Sequence, residues 1–302
     1  MYLYDDYIKD LYRILDSYSG LVSVVDRAWS YDGREIYALK LGKGEVKGIV
    51  SAGVHGREYI NTEVLIRIIE FYAGMYVNSK VYNGIDIREV FEESSVIIVP
   101  LVNPDGYVIA TEGCNAINNI KLRQLCYEKI IDHFMWKNNA RGVDINRNFL
   151  SKSWKPKSID DKPMSEVETR FLRSIFDNFG GLIYVDIHSR GENIYYYRNN
   201  MSMEYNAKQY IIAKELSGIT GYRISEPSEE INSGDSGGNT VHYYSEHTNG
   251  YAITIETIPE DEQFPLGKKN VEKVYNQIKD ILIWMVTVQP GLQTIIVDKC
   301  KN

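Results

Sequence analysis

Residues 47–58 read KGIVSAGVHGRE, a short apolar run that leads directly into a histidine and a glutamate three positions apart. Three other runs have the same short, apolar character, namely SVIIVPLVN (95–103), GLIYVDIHS (181–189) and YAITIET (251–257). None of them alternates strictly between apolar and polar residues, which is typical of strands buried on both faces of a largely parallel sheet. The run GREIYALKLG (33–42) predicts a fifth strand, nearer an edge.

Amphipathic helices are predicted between these strands. Residues 61–76 carry apolar side chains at helical spacing, and a last helix near 269–287 repeats the pattern. Another helix opens with Ser165 and Glu168 in capping-box spacing and ends at the glycine pair 180–181. The alternation of strands and helices predicts a doubly wound α/β fold.

The composition is that of an ordinary globular protein. The chain has 302 residues, of which 44% are hydrophobic and 25% charged. No repeat or low-complexity linker divides it, so we expect one domain over residues 1–302. The formal net charge of -7 argues against a nucleic-acid or acidic-membrane partner, because such binding relies on clustered lysines and arginines. No window reaches the roughly 18 consecutive apolar residues of a membrane span.

The cysteines and the N-terminal residues indicate in which cellular compartment the protein is expected. Cys114, Cys126 and Cys300 cannot all pair within one chain, and no CxxC spacing suggests a zinc ribbon or a redox motif, so we expect free thiols. Residues 1–20 lack the basic and apolar regions of a secretory signal. We therefore expect a cytoplasmic protein, although a removed leader would leave no trace in this sequence.

Four predicted strands run into chemically reactive side chains where they end. In open α/β sheets, ligands bind outside the carboxyl ends of the parallel strands, so residues distant in sequence are expected to meet there. The side chains in question are His55 with Glu58, Asn103 with Asp105, His188, and Glu256.

Two imidazoles and a carboxylate suit a catalytic zinc site, because three protein ligands leave a coordination position open for water. His55, Glu58 and His188 are the candidate ligands, and a solvated surface pair is the alternative for the first two. Asp144 is a candidate for orienting a ligand histidine, or else a turn residue after a glycine. Glu256 is a candidate proton carrier for hydrolysis by a metal-activated water, or else a strand-end glutamate paired with a lysine.

The loop WKNNARGVDINRNF (136–149) is rich in basic and amide side chains. A guanidinium can hold a carboxylate through two hydrogen bonds, and a neighbouring asparagine amide can add a third. The loop is therefore either an anchor for a substrate carboxylate or a solvated basic loop. The side chains concerned are Lys137, Arg141, Asn146 and Arg147.

Together these motifs resemble the zinc metallocarboxypeptidases. The matching pieces are HGRE (55–58), VNPDGY (102–107), GVDINRNF (142–149), DIHS (186–189) and TIET (254–257). The resemblance covers about residues 5–290 and implies one catalytic α/β domain without an inhibitory pro-segment. It also implies a mixed, mostly parallel sheet of about eight strands flanked by helices. The implied cofactor is one Zn²⁺ ion on His55, Glu58 and His188, with Glu256 as general base and acid.

The resemblance also implies roles in substrate binding. Asn146 and Arg147 match the family's clamp for a terminal carboxylate, and Arg57 matches an arginine that lines the substrate cleft. Lys137 stands where the family has an arginine that stabilises the oxyanion, and a lysine offers a point charge instead of a fork. Arg141 is the alternative for that role.

Besides Lys137, the chain departs from the family pattern at the mobile tyrosine that the family commonly has before a Gly-Gly pair. The corresponding positions here are near Ser233 and Gly234, where no tyrosine stands. Tyr243 and Tyr244 follow too late in the sequence to take its place. The segment after Gly238, which forms the pocket floor in the family, also differs from that of digestive carboxypeptidases, so a preference for aromatic or basic side chains cannot be transferred.

The stretches WKNNARGVDIN and DIHSRGENIYYY are similar to a bacterial branch that cleaves cell-wall peptides between γ-D-glutamate and a diamino acid. Arg190 would then pair with the free α-carboxylate of the γ-linked glutamate, or else be a solvated loop arginine. The expected partner is a peptide or muropeptide substrate, with no obligate protein partner. A general carboxypeptidase that removes C-terminal residues is the alternative, and an inactive wall-peptide binding module is a remoter one.

Overall fold

The computed structural model describes residues 1–180, 183–232, 237–248 and 250–287. Short buried strands alternate with helices, as the apolar runs predict. The strands are β1 (Val22–Trp29), β2 (Glu35–Gly42), β3 (Glu45–Ala52), β4 (Val81–Tyr82), β5 (Ile85–Asp86), β6 (Ser94–Val99), β7 (Ile183–Ser189), β8 (Asn193–Tyr195), β9 (Arg223–Ile224) and β10 (Tyr251–Thr257).

Eight of these strands form one mixed sheet in the order β1-β2-β6-β3-β7-β10-β8-β9, while β4 and β5 form a separate small hairpin. The four central strands β6, β3, β7 and β10 are mutually parallel. The strands β1 and β2 pair antiparallel with their neighbours, whereas β8 pairs antiparallel with β10 and parallel with β9. All positions of β6 and β7 are buried, because helices cover both faces of the sheet.

The helices pack on the two faces of this sheet. The larger apolar core includes residues of α1, α2, α3, α7, α10 and α11, whose bounds follow. The smaller core lies on the other face, beneath α6 and α9. The helices are α1 (Tyr4–Ser17), α2 (Ile60–Val77), α3 (Ile87–Glu93), α4 (Pro104–Glu112), α5 (Ile120–Lys129), α6 (Val167–Phe179), α7 (Met203–Thr220), α8 (Pro227–Asn232), α9 (Thr240–Thr248), α10 (Lys269–Ile278) and α11 (Ile281–Thr287).

The doubly wound α/β fold with an eight-stranded sheet is therefore confirmed, but some predicted boundaries are wrong. The predicted strand 95–103 ends at Val99, since Pro100 has no N–H to donate to a neighbouring strand. The strand β2 lies next to the edge, and the edge itself is β1, which the apolar pattern did not predict.

Two helix predictions also need correction. The helix α6 begins at Val167, and Ser165 does not cap it, because the Ser165 hydroxyl donates to Glu166 Oε1 instead. The predicted helix 269–287 is divided into α10 and α11. At the division, the Tyr72 hydroxyl donates to the carbonyl of Lys279 at 3.0 Å.

The expectation of free thiols is wrong for two of the three cysteines. Cys114 and Cys126 form a disulfide with their Cα atoms 5.8 Å apart. An odd number of cysteines leaves one over but does not prevent a single pair, and Cys300 lies outside the described residues. Disulfides persist mainly in oxidising compartments, so the cytoplasmic location stays a prediction. None of the described helices has both the length and the apolar character needed to cross a membrane.

Candidate metal centre

The three candidate zinc ligands lie at the carboxyl ends of two adjacent parallel strands. His55 follows β3 by three residues, and a 3-10 turn over Gly56–Glu58 returns Glu58 to the same place. His188 is the sixth residue of β7, which pairs with β3 in parallel. The strand order therefore brings together residues that are 130 positions apart in sequence.

The geometry of these side chains suits a single metal ion. The Nδ1 atoms of His55 and His188 are 3.3 Å apart. Glu58 lies between them, with Oε1 2.8 Å from His55 Nδ1 and Oε2 3.0 Å from His188 Nδ1. Each residue offers a ligand atom within 4.8 Å of the others. Burial alone would raise the pKa of Glu58, but His55 and His188 lower it, so the carboxylate is ready to accept a cation.

The outer nitrogens of both imidazoles are held by carboxylates. His188 Nε2 lies 2.9 Å from Asp186 Oδ2, and His55 Nε2 lies 3.3 Å from Asp144 Oδ1. A proton on each Nε2 would satisfy these carboxylates and leave the Nδ1 lone pairs directed at a shared point. This is the arrangement that proteins use to fix histidine ligands of zinc, so the donor set fits a zinc ion.

Glu256 is placed beside this cluster by the sheet register. It pairs with His188 across β10 and β7, so the two side chains lie next to each other on the same face. Its Oε2 is buried and has no hydrogen-bond partner among the described residues. Desolvation, followed by the negative charge of Glu58, raises the pKa of Glu256 to about 7. A carboxyl group with such a pKa can both accept and return a proton near neutral pH.

The loop that carries Asp144 packs closely against the 3-10 turn Gly56–Glu58, and two glycines make this close packing possible. A Cβ on Gly56 would lie 2.1 Å from the carbonyl oxygen of Gly106, and a Cβ on Gly106 would lie 2.3 Å from that of Asn138. Only glycine permits these approaches. The Gly56 N–H also donates to the Lys137 carbonyl at 3.2 Å, so the turn and the loop are held together.

Comparison with known proteins identifies the family. The model of the peptidase M14 family, described as zinc carboxypeptidase, matches residues 7–280. The chain belongs to the zinc carboxypeptidase family. It is therefore a hydrolase of a family that binds zinc, and its His-Glu-His site fits that metal.

Two relatives and one solved structure illustrate the family match. The chain is 28% identical over 303 residues to the uncharacterized protein YqgT of Bacillus subtilis, covering 93% of this chain and 76% of that protein. It is 22% identical over 206 residues to gamma-D-glutamyl-L-diamino acid endopeptidase 1 of Lysinibacillus sphaericus, covering 64% of this chain and 50% of that protein. Bovine thrombin-activatable fibrinolysis inhibitor, solved with tick carboxypeptidase inhibitor, has a TM-score of 0.71 at 18% identity, with 98% and 97% of the two chains covered. This last likeness concerns the fold alone.

In this zinc carboxypeptidase-family chain, Asn146 and Arg147 lie on a 3-10 turn directly after Asp144. The Asn146 side-chain oxygen accepts from the Thr240 N–H at 3.0 Å. The Thr240 hydroxyl in turn donates to Asp186 Oδ2. Thr240 therefore ties the predicted carboxylate clamp to the carboxylate that orients His188.

Lys137 and Arg141 are directed to different partners. Lys137 Nζ lies 2.6 Å from Asp144 Oδ2, beside the zinc site. Arg141 is stacked on the ring of Tyr31 and donates to the Tyr31 hydroxyl and to the buried Glu166. Of the two candidates for the oxyanion, Lys137 is thus the one that contacts a residue of the metal site.

Arg57 and Arg190 both place their guanidinium groups near the aromatic ring of Phe264. The guanidinium carbons lie 5.1 Å and 5.2 Å from the centre of the Phe264 ring, respectively. Arg190 also donates to the carbonyl oxygens of Glu260 and Glu262. Two positive charges are therefore held close together, one adjacent in sequence to Glu58 and the other two residues after His188.

The expected convergence at the sheet edge fails for two residues. Asn103 caps α4 and donates to the carbonyls of Val54 and Asn138. Asp105 is buried against Ser30 and Arg34. Both therefore stabilise loops instead of joining the metal cluster, because the chain turns into α4 immediately after Asn103.

The positions that correspond to the family's mobile tyrosine, near Ser233 and Gly234, lie outside the described residues. Tyr243 and Tyr244 are buried in the smaller core, where the ring of Tyr244 lies 5.2 Å from that of Tyr184. The tyrosines of α9 therefore support the packing of this helix on the sheet.

The sequence contained an unused signal for Asp186. Residues two apart on a strand point to the same face, so an aspartate two residues before His188 in the sequence DIHS would lie beside it. Its second oxygen accepts from the Ser51 hydroxyl at 2.7 Å. Asp186 is therefore fixed from both sides before it orients the histidine.

We expect the substitution Asp186→Asn to weaken zinc binding by about 10- to 100-fold, because an amide cannot accept a charge-assisted hydrogen bond from His188. The measurement is a competition titration with a coloured chelator. Ser51→Ala is the matched control, since it removes the hydrogen bond to the Oδ1 atom of Asp186 and leaves the contact of Oδ2 with His188. Equal zinc affinities for Asp186→Asn and the unmodified protein would contradict this role.

Proposed function

We propose that this protein hydrolyses the amide bond between γ-D-glutamate and a diamino acid in cell-wall peptides. The observation that carries the proposal is the pair Arg57 and Arg190, whose guanidiniums lie near the same Phe264 ring and which stand next to Glu58 and two residues after His188 in the sequence. The Nε atom of Arg57 is buried and makes no hydrogen bond with any described residue. The pair thus offers two positive charges around one ring and an unused donor, on residues that are close in sequence to the zinc ligands.

The linkage of the substrate explains why such a pair is useful. A glutamate joined through its γ-carboxyl keeps its α-carboxylate free on the acyl side of the bond that is cut. An ordinary α-linked residue has no carboxylate at that position. Guanidinium groups bind carboxylates through paired, charge-assisted hydrogen bonds, so two arginines there favour the γ-linked substrate.

In this proposal, His55, Glu58 and His188 hold zinc, which when bound polarises the scissile carbonyl and acidifies a water molecule. Glu256 accepts a proton from the attacking water and later delivers it to the leaving nitrogen. Lys137 supplies positive charge for the oxyanion that develops on the carbonyl oxygen.

Asn146 and Arg147 position the leaving residue in this scheme. The diamino acid carries a free carboxylate, which a guanidinium and an amide can hold together. The Asn146 oxygen already accepts from Thr240, which turns its amide nitrogen into the available donor. The similarity to gamma-D-glutamyl-L-diamino acid endopeptidase 1 is in keeping with this substrate.

A general carboxypeptidase activity is the second candidate, and the same Asn146 and Arg147 favour it. Any peptide with a free C-terminus presents the carboxylate that these residues would bind. The two candidates differ only on the acyl side of the scissile bond, where Arg57 and Arg190 act.

The experiment compares two isomeric tripeptides, L-Ala-γ-D-Glu-diaminopimelate and its α-linked counterpart. We expect kcat/KM to be at least about 100-fold higher for the γ-linked isomer, in line with the energy of a charge-assisted hydrogen-bond pair. Arg190→Gln reduces that ratio, and Arg223→Gln is the control, since Arg223 is an exposed arginine paired with Glu229. Turnover of only the α-linked isomer would overturn the proposal in favour of a carboxypeptidase.

A further inference from the structure

A cavity of about 580 Å³ adjoins the zinc site. It lies between the loop around residues 137–148 and the segment around residues 154–166. Its wall includes Lys137, Asp144 and Arg147, which also belong to the site described above. A chemical group in this cavity can therefore be part of a molecule that is held at the metal.

The wall of the cavity is richer in basic than in acidic side chains. Six lysines and arginines line it, compared with four aspartates and glutamates. The chain as a whole has a formal charge of -7, so the sign of the charge on this wall is opposite to that of the whole chain. The basic side chains are Lys137, Arg141, Arg147, Lys155, Lys157 and Lys162.

Most of the acidic groups in the wall are already engaged. Asp144 is paired with Lys137, and Glu166 accepts from Arg141 and Asn139. Asp161 accepts from the backbone N–H groups of residues 157 and 158, which contributes to lowering its pKa. Lys137 and Arg141 are thus paired, while Asp160 and Asp161 oppose the other four positive charges, so the wall keeps an excess of two positive charges.

Three lysines of the segment make no direct polar contact through their ammonium groups, although the charge of Lys157 helps to lower the pKa of nearby Asp161. In the part of the chain that the structure describes, the ammonium groups of Lys155, Lys157 and Lys162 form no ion pair or hydrogen bond. All three are exposed, so their charges cost little in the absence of a ligand. Like charges gathered at one cavity repel each other, and an anion between them would relieve that repulsion.

We propose that this cavity is a subsite for an acidic side chain of the leaving residue. Arg147 lines the cavity and is proposed to hold the terminal carboxylate of that residue, so a second carboxylate of the same residue can reach the three lysines. This inference rests on the proposed function in one respect, namely that a peptide is cut at the zinc site. It adds a preference for the charge of the residue that is released.

The test uses two substrates that differ only in charge, L-Ala-γ-D-Glu-L-Glu and L-Ala-γ-D-Glu-L-Gln. We expect kcat/KM to be about tenfold higher for the substrate that releases glutamate, since at low ionic strength the lysines attract the glutamate carboxylate but not the neutral glutamine amide. Raising the ionic strength to about 0.5 M should reduce the preference to about twofold, because salt screens exposed charges.

The variant Lys155→Ser/Lys157→Ser/Lys162→Ser should remove the preference, so that the two kcat/KM values agree within about twofold. The control variant Lys9→Ser/Lys80→Ser/Lys121→Ser changes the net charge equally and concerns exposed lysines that do not line the cavity. It should keep the tenfold preference. Zinc content and circular dichroism establish that both variants are folded.

A preference that is absent in the unmodified protein, or that survives the cavity variant and high salt, would overturn the proposal. The result is independent of the linkage question because both substrates share one linkage. If only α-linked peptides are hydrolysed, the γ-glutamyl proposal fails, and the same Glu and Gln pair is then measured in α-linked substrates.

Discussion

Replacing Glu256 with glutamine is expected to lower kcat by about 10³-fold while KM changes by less than about threefold. Glutamine has nearly the same size but cannot accept a proton from water. Glu256 is the register neighbour of His188, and its Oε2 makes no hydrogen bond with the described residues, so the substitution breaks no hydrogen bond of that oxygen with them. The measurement is steady-state hydrolysis of the γ-linked tripeptide, with the zinc content determined for both proteins.

Arg147→Ala provides the contrast to this variant. Loss of the guanidinium should raise KM by about 100-fold and change kcat much less, since the lost contact is made in both the bound substrate and the transition state. Equal losses in kcat and KM for both variants would contradict the division of roles. An inactive binding module predicts no turnover in the unmodified protein, and therefore nothing for Glu256→Gln to reduce.

Removal of a zinc ligand is expected to have an equally large effect. His188→Ala should reduce the zinc content from about one ion per chain to less than about a tenth, since two ligands rarely retain zinc against a chelator. His188 is almost fully buried between Glu58 and Asp186, so no water-exposed side chain can replace it. Metal analysis after dialysis is the measurement.

His247→Ala is the control for this substitution, because its imidazole stacks on Tyr243 and is not part of the cluster. That variant should keep its zinc and its activity. Chelation of the unmodified protein should also lower Tm, because a ligand bound only by the folded state stabilises it. Full zinc content in His188→Ala would show that the ion binds elsewhere.

The apolar runs predicted the central strands well because burial on both faces leaves a clear mark in the sequence. His55, Glu58 and His188 could be placed together for the same reason, since parallel strands end at one edge of the sheet. The edge strand β1 was missed because Val22 is its only fully buried residue and two of its apolar side chains, Val24 and Trp29, are exposed, so it has no buried apolar run.

Other features depend on three-dimensional partners that local patterns do not contain. The pairing of Cys114 with Cys126 depends on the packing of α5 beside residues 114–116, not on the number of cysteines. Asn103 and Asp105 follow a strand just as His55 does, but α4 directs them to structural partners. The shared ring of Phe264 could not be predicted, since this residue is more than 70 positions from Arg190 in sequence.

The most direct test of the proposed substrate is a crystal structure of the zinc-loaded protein with the products L-Ala-γ-D-Glu and diaminopimelate. The prediction is one zinc ion on His55, Glu58 and His188, with the α-carboxylate of glutamate within about 3 Å of Arg57 or Arg190. The carboxylate of the released diamino acid should contact Arg147. A glutamate α-carboxylate that faces solvent, away from both arginines, would contradict the account.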